Sequence, residues 1–155
     1  EKYTSGWSDS VLMHHFPWKW DKKGGWPMIT ADQLLAHAVG DYVLQTDWMA
    51  TSKTTRSLAT LVHSVTYTLL FLFLTTNPVT LLVIGGTHFV IDRYRLARYL
   101  VWVRNVPFPG SKPWAECRDT GFTNGLPPFM STWLLIIVDN IIHVVINGAA
   151  IHYIG

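Results

Sequence analysis

Residues 81–103 read LLVIGGTHFVIDRYRLARYLVWV, an apolar run of helical length that contains His88 and Asp92. A helix of about 20 mostly apolar residues is long enough to cross a bilayer. An ionisable side chain within such a helix is costly in lipid and usually faces the protein interior or a water-filled cavity. We therefore expect His88 and Asp92 to face away from lipid, toward other polar groups of the same protein.

The composition of the whole chain also indicates a membrane protein. Of its 155 residues, 49% are hydrophobic and 14% are charged, and the net charge is +2. Soluble domains usually contain about 25% charged residues. The length fits one domain, and the small net charge without a basic tract argues against a nucleic-acid partner. Membrane lipids are the expected partners, and other membrane subunits or a second copy of the chain remain open.

Four apolar segments predict four long helices, and hence an all-α, integral-membrane four-helix bundle. The segments lie at about residues 30–50, 55–74, 79–103 and 129–154. Thr30 and Gln33 have the spacing of a capping box at the start of the first helix. Asn77 and Pro78 end the second, because a residue before proline resists helical backbone angles. The last three segments have the length and apolarity of membrane spans, whereas the first needs its polar face turned inward.

Two regions lie outside these helices. Residues 1–29 mix tryptophan with lysine in FPWKWDKKGGWP and predict an interfacial N-terminal arm ahead of a membrane domain at 30–155. Residues 104–128 form a long loop rich in proline and glycine, without helical or strand periodicity. Long loops serve as lids or binding loops, or they lie on the surface. Cys117, within this loop, is expected to be an ordinary loop residue.

Histidine and aspartate recur at one spacing in the predicted helices. Side chains four residues apart share a helical face, so each pair points in one direction. The pairs are His37 with Asp41, His88 with Asp92, and Asp139 with His143, and the second helix adds His63. The loop after the first helix and the loop of residues 104–128 are basic. Each helix has one end at these loops, and counted from that end the histidines and aspartates fall into two layers about one helical turn apart. We therefore expect them to meet inside the bundle.

Seven such side chains at matching depth predict a shared metal site rather than separate polar clamps between helices. Imidazole and carboxylate groups suit Zn²⁺, the expected metal, and also Mn²⁺ or Fe²⁺. The candidate ligands are His37, Asp41, His63, His88, Asp92, Asp139 and His143. Because seven ligands exceed the needs of one tetrahedral ion, either two ions bind or some residues orient the others or act as a base. Asp41 and Asp139 are the candidates for a catalytic base.

Residues 31–153 contain the pattern HxxxDxxxQ, His, HxxxD and DxxxH in this order. The four segments that form it are HAVGDYVLQ, LVHSV, THFVID and DNIIH. With this pattern the chain resembles an uncharacterised family of small bacterial and phage multi-helix membrane proteins, a domain of unknown function. More remotely, it is similar to predicted membrane-bound metal-dependent hydrolases. The resemblance implies the same seven site residues, a divalent metal and a place in the bacterial inner membrane, but no particular reaction.

Two functions remain open at this point. The first is a metal-dependent hydrolase that cleaves a lipid-like ester, amide or phosphoester with a water molecule activated by the metal. The second is a non-enzymatic membrane subunit of a larger complex, either structural or binding haem or another pigment through histidine.

Other polar and aromatic residues are expected to have packing or interfacial roles. Arg93, Arg95 and Arg98 are expected to extend toward lipid headgroups, with binding of an anionic substrate as the alternative. Tyr67 is expected to be an ordinary packing residue of the bundle.

Overall fold

The computed structural model describes residues 28–155, and within this range every regular element is a helix. The all-α prediction is therefore confirmed for the described part of the chain. Nearly all of the predicted N-terminal arm, residues 1–27, lies outside the described residues. The helices are α1 (Ala31–Ala38), α2 (Asp47–Ser52), α3 (Ser57–Leu70), α4 (Pro78–Tyr94), α5 (Leu96–Asn105), α6 (Trp114–Cys117) and α7 (Pro128–Tyr153).

The first predicted helix is divided in the structure. Its start is confirmed, because the Thr30 hydroxyl accepts a hydrogen bond from the Gln33 backbone at 3.3 Å and the Gln33 side chain accepts one from the Thr30 backbone. After α1 comes a π-helical turn, Val39–Val43, and then the separate helix α2. The prediction of a single helix over residues 30–50 is therefore wrong. Single π turns are often found at functional sites, and this one carries Asp41.

The third predicted helix is also divided. α4 ends at Tyr94, Arg95 has a left-handed backbone conformation with φ 52° and ψ 51°, and α5 begins at Leu96. This conformation is rare for a residue that carries a side chain. The prediction of one continuous helix over residues 79–103 is therefore wrong, because the helix is interrupted at Arg95.

The second and fourth predicted helices agree with the structure. α3 is extended by a short 3₁₀ turn at Phe71–Phe73. Asn77 then caps α4, its side chain accepting a hydrogen bond from the Val79 backbone at 2.9 Å. α7 is continuous over 26 residues. Both α4 and α7 begin with proline, whose missing N–H is one that the first helical turn leaves unpaired.

Four helices form the central bundle. α3 packs against α4, α4 against α7, and α1 against both α3 and α7. α5 lies against α7, and the loop of residues 104–128 folds back onto α5. In that loop Gly121 has a φ of 81°, and a side chain there would collide with the carbonyl oxygen of Arg98. The loop is therefore packed onto the helices, and it contains the short helix α6, which its sequence pattern did not predict.

The bundle is polar inside and apolar outside. Among residues 28–155, more of the buried side chains are polar or charged than hydrophobic, and many large hydrophobic side chains are exposed. A small hydrophobic cluster comprises Tyr67, Phe71, Ile84 and Ala150. Packing of apolar side chains therefore accounts for only part of what joins these helices.

Of the helices in residues 28–155, α7 alone is both long and apolar enough to cross a membrane. α4 has 17 residues, which span about 25 Å at 1.5 Å per residue. The hydrocarbon core of a bilayer is thicker, at about 30 Å. Of the three predicted spans, one therefore has full spanning length as a single helix.

Candidate metal centre

The seven predicted site residues lie together between the four helices of the central bundle. In each His–Asp pair the two side chains point inward together, as their spacing of four residues requires. α1 carries His37, the π turn Asp41, α3 His63, α4 both His88 and Asp92, and α7 both Asp139 and His143. Asp139 is partly exposed, and the other six are buried. The structure thus brings together all the groups that the sequence places at matching depth.

Four ligand-type atoms form the most compact part of this cluster. They are Asp41 Oδ1, His63 Nε2, His88 Nε2 and Asp92 Oδ2. His63 Nε2 lies 3.3 Å from each of the two carboxylate oxygens and 3.0 Å from His88 Nε2. His88 Nε2 lies 3.4 Å from each carboxylate oxygen. Each imidazole nitrogen is therefore close to the other three atoms.

The separations among Asp41 Oδ1, His63 Nε2 and His88 Nε2, at 3.0–3.4 Å, are close to those of ligands around one tetrahedral ion. With metal–ligand bonds of about 2.1 Å, tetrahedral ligands lie about 3.4 Å apart. Hydrogen bonds from nitrogen to oxygen are usually shorter, at about 2.7–3.2 Å. Asp41 Oδ1 is buried and has no hydrogen-bond partner within residues 28–155. The atoms of Asp41, His63 and His88 therefore suit a divalent cation, whereas Asp92 Oδ2 is paired with the Lys53 ammonium at 2.8 Å.

A second set of ligand-type atoms adjoins the first. Asp92 Oδ1 lies 3.5 Å from His143 Nε2, which itself lies 3.5 Å from Asp139 Oδ2. His143 Nε2 is buried, and no residue of the described chain forms a hydrogen bond with it. Two groups of three residues could hold a metal ion: Asp41 with His63 and His88, and His88 with Asp92 and His143. Because both groups include His88, the two candidate positions are adjacent.

His37 lies beside these groups and is engaged by other side chains. Its Nδ1 lies 2.8 Å from the Tyr67 hydroxyl, and its Nε2 lies 2.6 Å from Asn140 Oδ1. His37 Nδ1 also lies 3.6 Å from Asp41 Oδ2. An imidazole whose two nitrogens both form hydrogen bonds has no lone pair left for a metal ion. In this arrangement His37 is held by Tyr67 and Asn140, and its role as a ligand stays a prediction.

Tyr67 belongs to the site, although its place in an apolar helix predicted a packing residue. Its ring is fully buried and stacks on His88, with ring centroids 3.8 Å apart. Its hydroxyl accepts a hydrogen bond from Asn147 Nδ2 at 2.6 Å and donates to His37. The signal for this role was the position of Tyr67 four residues after His63, which places both on one face of α3.

Lys53 is a second site residue that was not predicted from the sequence. Its ammonium nitrogen lies 2.8 Å from Asp92 Oδ2 and 3.5 Å from His63 Nε2. The Lys53 carbonyl oxygen accepts a hydrogen bond from the Thr60 hydroxyl, which ties the turn after α2 to α3. No local pattern indicates these contacts, because the tertiary structure decides where a long side chain in a turn will lie.

A cavity of about 280 Å³ lies beside the cluster. Asp41, Asp92 and Asp139 line it, together with Lys53 and with Gln45, the last residue of the HxxxDxxxQ motif. The Asp139 side chain is 28% exposed. The cavity therefore gives small molecules access to the edge of an otherwise buried cluster.

The fold and the cluster define an all-helical protein in which buried histidine and aspartate groups could hold a metal ion. The chain belongs to the family described as "Protein of unknown function (DUF3307)", whose model matches residues 29–152. The predicted membership of an uncharacterised family is therefore confirmed. No curated protein and no solved structure matches the chain. Its likeness to membrane-bound hydrolases and to phage proteins stays a prediction.

Proposed function

We propose that this protein is an integral-membrane, metal-dependent hydrolase that cleaves a lipid-like ester, amide or phosphoester. The observation that carries the proposal is the group of Asp41, His63 and His88, whose ligand atoms lie 3.0–3.4 Å apart, close to the spacing of ligands around one tetrahedral ion. Cys117, the single cysteine of the chain, lies outside the cluster. Imidazole and carboxylate ligands without a thiolate suit Zn²⁺, and also Mn²⁺ or Fe²⁺.

The distribution of apolar side chains supports a membrane location. Leu82 on α4 is 73% exposed and Phe73 is 88% exposed. In the most apolar window of 18 residues in α7, 22% of the residues are buried, whereas the core helix of a soluble protein is mostly covered. Extended apolar surface marks contact with a partner or a membrane. Lipid would cover these faces, and the bacterial inner membrane is the proposed location.

The donor set fits a catalytic metal as well as a structural one. A divalent cation held here would lower the pKa of a bound water toward about 7 and polarise the bond to be cleaved. Asp41, His63 and His88 would hold the ion and leave the fourth tetrahedral position to that water, with Asp92 and His143 adjoining. Tyr67 would keep the His88 ring in place by stacking on it. Loss of a contact of this kind behind a metal ligand commonly lowers metal affinity or activity by about 10–100-fold.

Asp139 is the better placed of the two candidate bases. Asp41 belongs to one of the groups that could hold the metal, whereas Asp139 lies outside both groups. The partly exposed side chain of Asp139 lines the cavity through which substrate and water would enter. From there its carboxylate can accept a proton from the attacking water and pass it toward the leaving group.

A non-enzymatic membrane subunit is the second candidate function. In its favour, hydrogen bonds run from Asn147 through Tyr67 and His37 to Asn140, and they join α1, α3 and α7 whether or not chemistry occurs. Haem or pigment binding has less support. An axial ligand requires a single histidine nitrogen facing the iron, whereas the Nε2 atoms of His63, His88 and His143 each lie 3.3–3.5 Å from a carboxylate oxygen, an arrangement typical of a bare metal ion.

Elemental analysis of protein purified in detergent without chelator tests the metal site. We expect stoichiometric zinc, manganese or iron in the wild-type protein and its loss in His88→Ala. His152→Ala is the matched control, because it removes an exposed histidine of α7 outside the cluster. Wild-type protein almost free of metal would exclude the hydrolase, and a tetrapyrrole absorption band would favour the subunit. Retention in membranes after alkaline washing tests the location separately.

A further inference from the structure

The cavity beside the metal centre is lined by both carboxylates and cations. Its three carboxylates are those of Asp41, Asp92 and Asp139, and its three cations are Lys53, Arg95 and Arg98. All three cations are partly buried. The volume of about 280 Å³ is just below the range of ligand pockets, which measure about 300–1,000 Å³. The cavity therefore suits a small charged group and not a whole lipid.

The loop of residues 104–128 helps to hold the two arginines. Arg95 donates to the carbonyl oxygen of Asp119 at 2.6 Å, and Arg98 donates to that of Arg118 at 3.0 Å. A guanidinium has five N–H donors, so both arginines retain donors for a ligand. Arg98 Nε is buried without a hydrogen-bond partner in the described range, 28–155. These contacts differ from the expected extension of both side chains toward lipid headgroups.

Arg95 lines the cavity and has the left-handed backbone conformation described above. Its N–H closes α4 by donating to the carbonyl oxygens of Ile91 and Asp92. Strained conformations of this kind persist where the surrounding structure holds them, and they concentrate at functional sites. The conformation places a cation directly after the helix that supplies His88 and Asp92.

We infer that this cavity recognises the phosphoryl group of a phosphate ester, an inference that rests on the proposed hydrolase function. The three cations balance the three carboxylates in formal charge, so a bound divalent ion leaves the cavity with net positive charge. A phosphoryl dianion neutralises that charge, whereas a neutral ester or amide does not. Arginine also matches phosphate oxygens with paired, charge-assisted hydrogen bonds. Among the three substrate classes of the proposed function, the cavity thus selects the phosphoester.

The reaction at this site is hydrolysis of the phosphorus–oxygen ester bond. The oxygen of a water molecule forms a bond to phosphorus, and the bond from phosphorus to the ester oxygen breaks. Asp139 accepts one proton of the water and passes it to the departing oxygen, which becomes an alcohol while the Asp139 carboxylate is restored. The products are the alcohol and inorganic phosphate, whose charge Arg95 and Arg98 stabilise throughout.

Hydrolysis of matched substrates separates this inference from the proposed function. The full-length, metal-loaded protein in neutral detergent is given decyl phosphate, phenyl phosphate and decyl acetate. Faster cleavage of either phosphate ester supports the inference, and the preferred one shows whether the phosphoryl group comes from a lipid-like or a soluble molecule. Faster cleavage of decyl acetate overturns it and leaves the hydrolase standing. If neither phosphate ester is cleaved, the inference is overturned, and the metal content of the wild-type protein then tests the proposed function separately.

Calorimetric titration with inorganic phosphate is a readout independent of turnover. We expect Arg98→Gln and Arg95→Asn each to weaken phosphate binding about tenfold or more, as for a lost hydrogen bond to a charged group. Asparagine tolerates the left-handed backbone at position 95. Arg104→Gln is the matched control, because Arg104 lies over the Phe122 ring and outside the cavity lining.

The metal content of each variant shows whether its centre is still assembled. Weaker phosphate binding in either cavity variant, with metal retained and the control unchanged, supports the inference. Absence of phosphate binding by the wild-type protein overturns it. Wild-type affinity for phosphate in both cavity variants also overturns it.

Discussion

The ring of Tyr67 stacks on the imidazole of His88, with centroids 3.8 Å apart and an angle of 23° between the two planes. The hydroxyl of the same tyrosine bonds to Asn147 of α7 and to His37 of α1. One side chain of α3 therefore supports a candidate metal ligand with its face and connects two other helices through its hydroxyl. Tyr67 thus links the candidate metal centre to the packing of the whole bundle.

Tyr67→Phe is expected to keep this stacking and remove the hydroxyl. The buried amide of Asn147 then loses its acceptor, which lowers the free energy of unfolding by about 1–3 kcal/mol. We also expect metal affinity to fall by roughly 10–100-fold, because His37 and the centre lose their support. Thermal unfolding and metal titration in detergent measure the two effects. Tyr94→Phe, at an exposed position of α4, is the control, and unchanged metal affinity in Tyr67→Phe would exclude a role for the hydroxyl.

Gly40→Ala is expected to displace Tyr67. A Cβ at position 40 would lie 2.5 Å from Tyr67 Cδ2, too close for two nonbonded carbons. Overpacking of this kind costs about 1–3 kcal/mol, and we expect weaker metal binding as well, because the same π turn carries Asp41. Gly86→Ala is the matched control, since the space around Gly86 is open. It is expected to be neutral or to stabilise α4 by up to about 1 kcal/mol. Equal melting temperatures of the two variants would contradict this packing.

The parts of the fold that depend on adjacent residues were predictable from the sequence. Thr30 with Gln33, and Asn77 ahead of Pro78, mark helix starts through hydrogen bonds between near neighbours. The His–Asp pairs were predictable because a spacing of four residues places two side chains on one helical face in any context. Tyr67 could have been found by the same rule, four residues after His63.

The interruptions of the helices were not predictable, because contacts between distant residues hold them. The π turn Val39–Val43 lies where Gly40 packs against the Tyr67 ring. Arg95 has no intrinsic preference for a left-handed backbone, and its guanidinium is bonded to the Asp119 carbonyl oxygen. Lys53 was likewise missed as a cavity residue, and for Arg95 a place beside the site was only the alternative to the lipid headgroups, since the tertiary structure directs long flexible side chains.

Cys117 is the only cysteine of the chain and reports on the packing of the loop of residues 104–128. It is 3% exposed. Burial raises the pKa of its thiol, and the adjacent Glu116 carboxylate raises that pKa further. Because alkylation requires the thiolate, we expect slow labelling by maleimide at neutral pH, which accelerates as the pH rises. Mass spectrometry of native and denatured protein measures the two rates, and equal rates would mean that the loop does not cover Cys117.

Two conservative substitutions separate metal binding from base catalysis. Asp92→Asn removes the negative charge next to His63, His88 and His143, so we expect metal and hydrolytic activity to be lost together. Asp139→Asn is expected to retain the metal, because Asp139 lies outside both groups of candidate ligands.

In Asp139→Asn we expect kcat to fall by about 10²–10⁴-fold with little change in KM, the contribution of a well-placed proton acceptor. Elemental analysis and steady-state kinetics on the same preparations measure metal and activity together. Asp32→Asn, on the exposed face of α1, is the control for both substitutions. If Asp139→Asn loses its metal as completely as Asp92→Asn does, Asp139 is a ligand, and Asp41 becomes the remaining candidate for the base.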